Sequence, residues 1–209
     1  MMNLNNLAGC MLATSTTLPP IRAAYEYVIA ANGLFIRAED SRMEAMVPIF
    51  QIDPARMNGL AMVEPYARLK APKIGPHWIE RIEGLSVHFL PDEVMMQFIY
   101  VDVFGVWDMQ CPSQTTSPAS VHFKDNGESV IDVHSHGIMD AFFSTVDNAD
   151  EQGLRFYCVV GCIHSTTPQI SCRVGVYGHH MNVPASTIFE DISPFYDTFG
   201  VETNADIPF

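Results

Sequence analysis

Short apolar runs separated by turn residues divide most of the chain into β-strands. Two of these runs, 25–30 and 34–37, flank Ala31-Asn32-Gly33, and an Asn-Gly pair between apolar runs is typical of a β-hairpin. A helix through residues 22–31 is the alternative, because Ala and Glu are frequent there. Further strands are predicted at residues 47–52, 94–101, 104–109, 121–123, 129–134, 155–161 and 169–177.

Helical spacing occurs in one long stretch and one short one. The long stretch opens with Pro76 in its first turn and ends near His88. Its buried stripe would consist of Trp78, Ile79, Ile82 and Leu85. The short one begins at the capping sequence Ser144-Thr-Val-Asp147 and stops at Gly153. Together these elements predict an α/β (α+β) fold in which a mixed β-sheet is layered with helices.

Length and composition indicate a globular chain. With 209 residues, 48% of them hydrophobic and only 17% charged, the chain can bury one sizeable core, alone or with a smaller appendage. We expect a weakly ordered lead-in at 1–20, a small β-rich N-terminal extension at 21–70, the main domain at 71–190 and an acidic C-terminal tail at 191–209.

Charge, hydropathy and cysteine content limit the expected partners and the expected cellular compartment. The formal net charge is −13, and a surface this acidic repels phosphates, so direct binding to nucleic acid is not expected. No apolar run approaches the roughly 20 residues that cross a bilayer, so no membrane anchoring is expected. The five cysteines are odd in number and irregularly spaced, which favours a reducing cytoplasm over a disulfide framework.

The stretch 130–147 carries the candidate chemistry. β-branched residues favour a strand at its start, so His134 and His136, two residues apart, would project from the same face. If the helix that begins near Ser144 folds back over the strand end, the carboxylate of Asp147 joins the two imidazoles. Two histidines and one aspartate with an open fourth position are the ligand set of a catalytic zinc rather than a structural one.

Other interpretations of these residues stay open. Ser-x-x-Asp is also an ordinary capping box, and a His-x-His pair can lie on a strand without binding a metal. Asp132 shares the side-chain parity of His134, so it is a further candidate ligand or a partner that orients an imidazole. His179 and His180 are expected in a loop, with a place at the rim of the site as the alternative.

A second zinc site is conceivable downstream but geometrically unfavourable. Its ligands would be Cys158, Cys162, His164 and Cys172. Residues four apart on a strand lie about 13 Å apart, which prevents tetrahedral closure around one ion. We therefore expect these cysteines in the core.

The spacing of the candidate ligands resembles a known signature. His134-Ser-His136, seven residues, Ser144, two residues and Asp147 match the pattern H-[ST]-H-x7-S-x2-D of the JAMM (MPN+) metalloproteases. That family also has a glutamate on an earlier strand, which Pro91-Asp-Glu93 resembles. Residues 132–137, 141–147 and 173–179 are more closely similar to the A proteins of PRTRC systems, a bacterial branch of the family carried by plasmid-like gene clusters.

The resemblance implies a fold, a metal and an activity. The fold would be the JAMM/MPN-like, cytidine-deaminase-like sheet with helices on it, and Zn2+ would be held by His134, His136 and Asp147. Glu93 would take the proton of the attacking water, and Ser144 would donate a hydrogen bond to the developing oxyanion. The activity would be that of a zinc-dependent isopeptidase or peptidase. Its substrate would be the C-terminus of a ubiquitin-like or sulfur-carrier protein.

The chain departs from the family in two places. Gly137 stands where the family often has proline. The segment from Asp147 to Leu154 is too short for the insertion with which ubiquitin-cleaving members hold their substrate.

Two other functional classes remain as alternatives. Asp132-x-His-x-His136 also resembles the first metal motif of PHP phosphoesterases and amidohydrolases. Only 73 residues follow that motif, too few for a barrel of about 250. A non-catalytic MPN scaffold is the other alternative, although such proteins typically have lost the ligands that this chain retains.

Overall fold

The computed structural model describes residues 7–54 and 57–200. Residues 1–6 of the expected lead-in, 55 and 56 within the expected extension, and 201–209 of the expected tail lie outside this range. The strands and helices in chain order are β1 Ala8–Leu12, β2 Tyr25–Ala30, β3 Gly33–Glu39, β4 Met43–Gln51, β5 Tyr66–Leu69, α1 Pro76–Phe89, β6 Met95–Val101, β7 Val106–Gln110, β8 Gln114–Ser117, β9 Ser120–Phe123, β10 Ile131–Ser135, α2 Thr145–Asp150, β11 Leu154–Gly161, β12 Gln169–Val176, β13 His179–Val183, a 3-10 helix Ala185–Thr187, and β14 Tyr196–Asp197.

The first five strands form one sheet in the order β1-β2-β3-β4-β5. The predicted hairpin is confirmed, because β2 and β3 pair antiparallel across a turn at Ala31-Asn32, and the alternative helix is wrong. Gly33 is required there, since an added Cβ would collide with the carbonyl of Phe50 on β4. Within the expected lead-in, Ala8–Leu12 form edge strand β1, which pairs parallel with β2.

The larger sheet has the order β13-β12-β11-β10-β6-β7. Neighbours in this order are antiparallel except β10 and β11, which run parallel. The short β14 lies outside this order and pairs parallel with β12. A parallel pair needs a crossover connection, and the crossover from β10 to β11 contains α2. Strand β10 lies between β6 and β11, and all five of its residues are buried.

Both sheets and the long helix share one hydrophobic core. Its members include Ile36 on β3, Ile79 on α1, Val133 on β10 and Val174 on β12. Strands β3 and β4 pack against β12, and β4 also contacts β13. The 21–70 stretch, expected as an extension, therefore buries one face of its sheet against the rest of the protein.

The expected α/β fold, a JAMM/MPN-like sheet layered with helices, is wrong. The described residues contain fourteen strands but only two α-helices, and α2 has six residues. Most connections are too short for a helix. Residues 102–105, 118–119 and 177–178 join consecutive strands as hairpins. Strands β12 and β13 are covered by the N-terminal sheet and not by a helix.

Neither α-helix in the described part of the chain is long and apolar enough to cross a membrane.

Candidate metal centre

The two histidines lie at the carboxyl end of β10. His134 is in the strand and His136 follows it, where its N–H donates to the carbonyl of Val160 on β11. Both side chains belong to residues that are only 5% exposed. Their Nε2 atoms are 3.2 Å apart. Strand alternation therefore places both imidazoles on one side, as their spacing predicts.

Asp147 reaches the histidines from the first turn of α2. Ser144 is the N-cap of this helix, and its Oγ accepts the N–H of Asp147 at 3.2 Å. In return, Oδ2 of Asp147 accepts the N–H of Ser144 at 2.6 Å. The other oxygen, Oδ1, lies 3.5 Å from Nε2 of His134. The capping box thus anchors one carboxylate oxygen and directs the second towards the imidazoles.

The three side chains fit a divalent metal. One potential ligand atom from each of His134, His136 and Asp147 lies within 4.8 Å of the others. Ligands about 2.0 to 2.1 Å from a tetrahedral zinc are roughly 3.3 to 3.4 Å from one another. The observed 3.2 and 3.5 Å separations are close to this value. Two imidazole nitrogens and one carboxylate oxygen are a donor set that suits zinc and other first-row metals.

Hydrogen bonding fixes the tautomer of His136. Its Nδ1 lies 3.2 Å from the carbonyl oxygen of Asp140. A carbonyl only accepts, so Nδ1 carries the proton and the lone pair is on Nε2, facing His134. A hydrogen-bond acceptor for the ring N–H that does not face the metal is typical of metal-binding histidines.

Burial keeps both imidazoles neutral. It lowers the pKa of His134 to about 4, although Asp147 opposes the shift. It also lowers the pKa of His136, again against the influence of Asp147. Near neutral pH both rings therefore present lone pairs, as metal ligation requires.

The loop after His136 depends on two glycines. Gly137 has a φ of 55°, which proline cannot adopt because its ring fixes φ near −65°. Gly161 on β11 packs against the loop so closely that an added Cβ would lie 2.5 Å from the nitrogen of Ala141. This contact holds the carbonyl of Asp140 beside His136.

Glu93 enters the site from the strand next to β10. His134 pairs with Met95 in the antiparallel register of β10 and β6. Glu93 therefore lies just before the first residue of β6, level with His136. The residue is 5% exposed. Burial raises the pKa of its carboxyl to about 7, and Asp147 adds to the rise. Glu93 can therefore exchange a proton near neutral pH.

Ser135, the central residue of His-Ser-His, connects these two strands. Its side chain is completely buried, and its Oγ accepts the N–H of Val94 at 3.1 Å. Its own N–H donates to the carbonyl of Val94 at 3.0 Å. Both bonds involve the residue directly after Glu93, so Ser135 fixes the position of the carboxylate relative to the histidines.

All five candidate side chains line one cavity of about 840 Å³. Its lining is acidic, with six carboxylic side chains against a single arginine: Glu93, Asp125, Asp132, Asp147, Asp150 and Glu151 against Arg155. Apolar contributions come from Met139, Phe142 and Val146. The cavity thus combines the candidate ligands and Glu93 with room for an extended substrate segment.

The remaining candidates from the sequence have other partners. The carboxylate of Asp132 forms an ion pair with Arg155 at 2.9 Å and accepts from Gln97 at 3.2 Å. Asp132 therefore pairs with Arg155 and Gln97, and neither of these contacts is with a histidine. His179 and His180 are in strand β13, where a loop was expected, and Nε2 of His180 lies 3.1 Å from the carbonyl of Glu151.

The cysteines do not converge with His164. Cys158 and Cys172 are buried opposite each other on β11 and β12, with their sulfurs 3.1 Å apart. Cys162 instead contacts the carboxylate of Asp140, and His164 is exposed. Among the described residues, His134, His136 and Asp147 are the one group that could hold a metal.

Two residues that shape the site have no assigned role in the sequence pattern. Ser135 is the middle residue of the His-Ser-His motif, and strand parity places its side chain on the face opposite to the histidines. Arg173 is a charged residue inside the apolar strand β12, and a buried charge requires a partner. That signal indicated a buried ion pair but could not name its partner, which is Glu151.

Comparison with models of known protein families found no match, and comparison with curated proteins found none either.

Proposed function

We propose that this chain is a zinc-dependent peptidase or isopeptidase whose metal is held by His134, His136 and Asp147. One observation carries the proposal: the three ligand atoms converge on a cavity that also contains the buried carboxyl of Glu93. When bound, zinc would lower the pKa of a coordinated water and polarise a peptide carbonyl. The resemblance to the JAMM signature supports both the metal and the reaction.

Glu93 is the general base in this proposal. A carboxyl with a pKa of about 7 is about half ionised near neutral pH. It accepts a proton from the attacking water and then gives it to the leaving amine. The two bonds between Ser135 and Val94 hold it level with the histidines. Such a group typically contributes a factor of about 10² to 10⁴ in rate.

Ser144 is the proposed oxyanion donor. Its Oγ already accepts the N–H of Asp147, so the hydroxyl proton is available for a different acceptor. The side chain lines the cavity, where a donor to the developing oxyanion is typically worth about 2.7 to 4 kcal/mol.

The charge of the cavity indicates which substrates fit. Arg155 is the only arginine or lysine among its described lining residues, and it is already paired with Asp125 and Asp132. A phosphate or a free carboxylate would find no unpaired guanidinium or ammonium group there. This disfavours the phosphoesterase alternative and favours a peptide or isopeptide bond between neutral or cationic residues.

The partner and the compartment rest on resemblance and composition. By similarity to the JAMM family, we propose that the substrate is the C-terminus of a ubiquitin-like or sulfur-carrier protein, and that the protein acts in the cytoplasm. The net charge of −13 disfavours a nucleic acid as the substrate.

Metal content and cleavage test this proposal together. The purified protein is incubated with zinc, dialysed and analysed for metal, alongside His134→Ala, Asp147→Ala and Glu93→Gln. Cleavage is followed by mass spectrometry on lysine-branched peptides and on a fusion of a β-grasp protein to a reporter peptide. We expect about one zinc per chain in the parent and in Glu93→Gln, little zinc in the two ligand variants, and cleavage by the parent alone.

Each outcome has a defined meaning. A parent protein that takes up no zinc overturns the proposal. Glu93→Gln with the activity of the parent refutes the assigned base. Stoichiometric zinc without cleavage of any probe favours the non-catalytic scaffold, and release of inorganic phosphate from phosphoesters favours the hydrolase alternative.

A further inference from the structure

Helix α2 carries the proposed ligand Asp147 but has little apolar packing. It has six residues, and none of them is buried. In proteins, most of the stability of a short helix comes from burying an apolar face against its neighbours. Since α2 buries none of its residues, other contacts must hold Asp147 beside the histidines.

Arg173 on β12 supplies contacts to both ends of this segment. Its Nε donates to Oε2 of Glu151 at 2.7 Å, and its Nη1 donates to Oδ1 of Asn148 at 2.6 Å. Its guanidinium carbon lies 3.8 Å from the centre of the Phe143 ring. These three partners lie on either side of Asp147 in the sequence, so one side chain holds the whole helix and its cap.

The guanidinium of Arg173 and its carboxylate partner are largely buried. Arg173 is 5% exposed and Glu151 is 7% exposed. Hydrogen bonds from a guanidinium to a carboxylate are among the strongest in proteins, and a low local dielectric strengthens them further. The planar guanidinium also stacks on an aromatic ring in a way that the ammonium group of lysine does not.

We propose that Arg173 is the positioning residue that holds Asp147 within reach of His134 and His136. It acts through α2, because its contacts are with residues 143, 148 and 151 and the metal ligand is residue 147. The inference rests on the proposed metal site and adds a residue to it. Outer partners of metal ligands typically affect affinity by about 10- to 100-fold.

The chain offers a matched control for losing a buried arginine. Arg37 on β3 is 4% exposed and pairs with Glu26 at 2.6 Å. The ion pair of Arg173 with Glu151 has the same 2.6 Å separation. Arg37 belongs to the N-terminal sheet and does not line the cavity of the metal site. Arg37→Met therefore reproduces the loss of a buried ion pair without touching α2.

Zinc affinity of the full chain is measured by competition with a chromophoric chelator, without any substrate. We expect Arg173→Met to weaken zinc binding by about 10- to 100-fold, Arg173→Lys to have an intermediate effect, and Arg37→Met to leave the affinity unchanged. The absorption of bound Co2+ provides a second measurement, since loss of the Asp147 ligand changes its intensity. If Arg173→Met does not fold, Asn148→Ala removes one of the same contacts from an exposed residue.

A double-mutant cycle separates positioning from general destabilisation. If Arg173 acts through Asp147, Arg173→Met should not weaken zinc binding further in an Asp147→Asn background. A further loss in that background, or an equal loss in Arg37→Met, overturns the inference. So does an Arg173→Met protein that binds zinc as tightly as the parent, which leaves the proposed function intact. A parent protein without zinc affinity overturns both.

Discussion

The buried carboxyl of Glu93 makes the stability of the metal-free protein depend on pH. Burial raises its pKa from 4.5 to about 7 in the folded state. Above pH 7 the group is ionised in both states, and the folded state carries the whole desolvation penalty. Below pH 4.5 it is protonated in both, and the penalty disappears. The stability associated with this group is therefore present at low pH and is lost as the pH rises through 7.

Glu93→Gln removes that penalty. The rise of the Glu93 pKa from 4.5 to about 7 corresponds to about 3 kcal/mol. Because the carboxyl faces a cavity that admits water, we expect a gain of about 1 to 3 kcal/mol above pH 7 and none at pH 4.5. For a chain of this size the gain corresponds to about 3 to 10 °C in Tm.

Thermal unfolding in EDTA at several pH values between 4.5 and 8.5 measures this effect. Glu80→Gln is the control, since Glu80 is exposed on α1 and its replacement should leave Tm nearly unchanged at every pH. An equal Tm change for Glu93→Gln at both ends of the pH range would show that the Glu93 carboxyl is not desolvated. Glu93 would then not be poised to act as a base near neutral pH.

Two further substitutions test how the site is held together. Ser135→Ala leaves the N–H of Val94 without its acceptor, so we expect a loss of about 1 to 3 kcal/mol in urea unfolding together with lower peptidase activity. The equally buried Ser86 bonds within its own helix, and Ser86→Ala should preserve activity; equal activity losses would contradict a special role for Ser135. Gly161→Ala should lower both Tm and zinc affinity, because its Cβ would displace the loop that orients His136. Gly84→Ala is the control, because Gly84 on α1 has open space around it, and it should stabilise the protein by about 0.5 to 1 kcal/mol. An unchanged zinc affinity in Gly161→Ala would refute the role of the loop.

Local sequence rules were sufficient where one element determines the geometry. The parity of a strand places His134 and His136 on one side, and their Nε2 atoms face each other in the structure. The capping sequence at Ser144 and Asp147 was considered as an alternative to a ligand. The structure shows that the two roles are compatible, because one carboxylate oxygen caps the helix and the other faces His134.

The errors concern contacts between distant parts of the chain. Nothing local to residues 21–70 indicates that β3 and β4 cover β12 and β13, and the expectation of a sheet layered with helices was wrong. In the same way, the charge of Arg173 signals a buried partner, but its pairing with Glu151 depends on where the crossover after β10 returns to the sheet. Such pairings depend on tertiary packing, which periodicity does not encode.

The alternating side-chain directions along β10 explain both the histidine pair and the place of Glu93. Residues 134 and 136 face the candidate metal site, and the intervening Ser135 faces the opposite way and binds the backbone of Val94. The distance between Glu93 and the histidines along the chain therefore matters little, because the antiparallel register of β6 and β10 determines where the carboxylate lies. Strand β10 and its pairing with β6 thus place the histidines and the proposed base in one unit. Asp147 comes from outside that unit, which is why its position requires both a helix cap and Arg173.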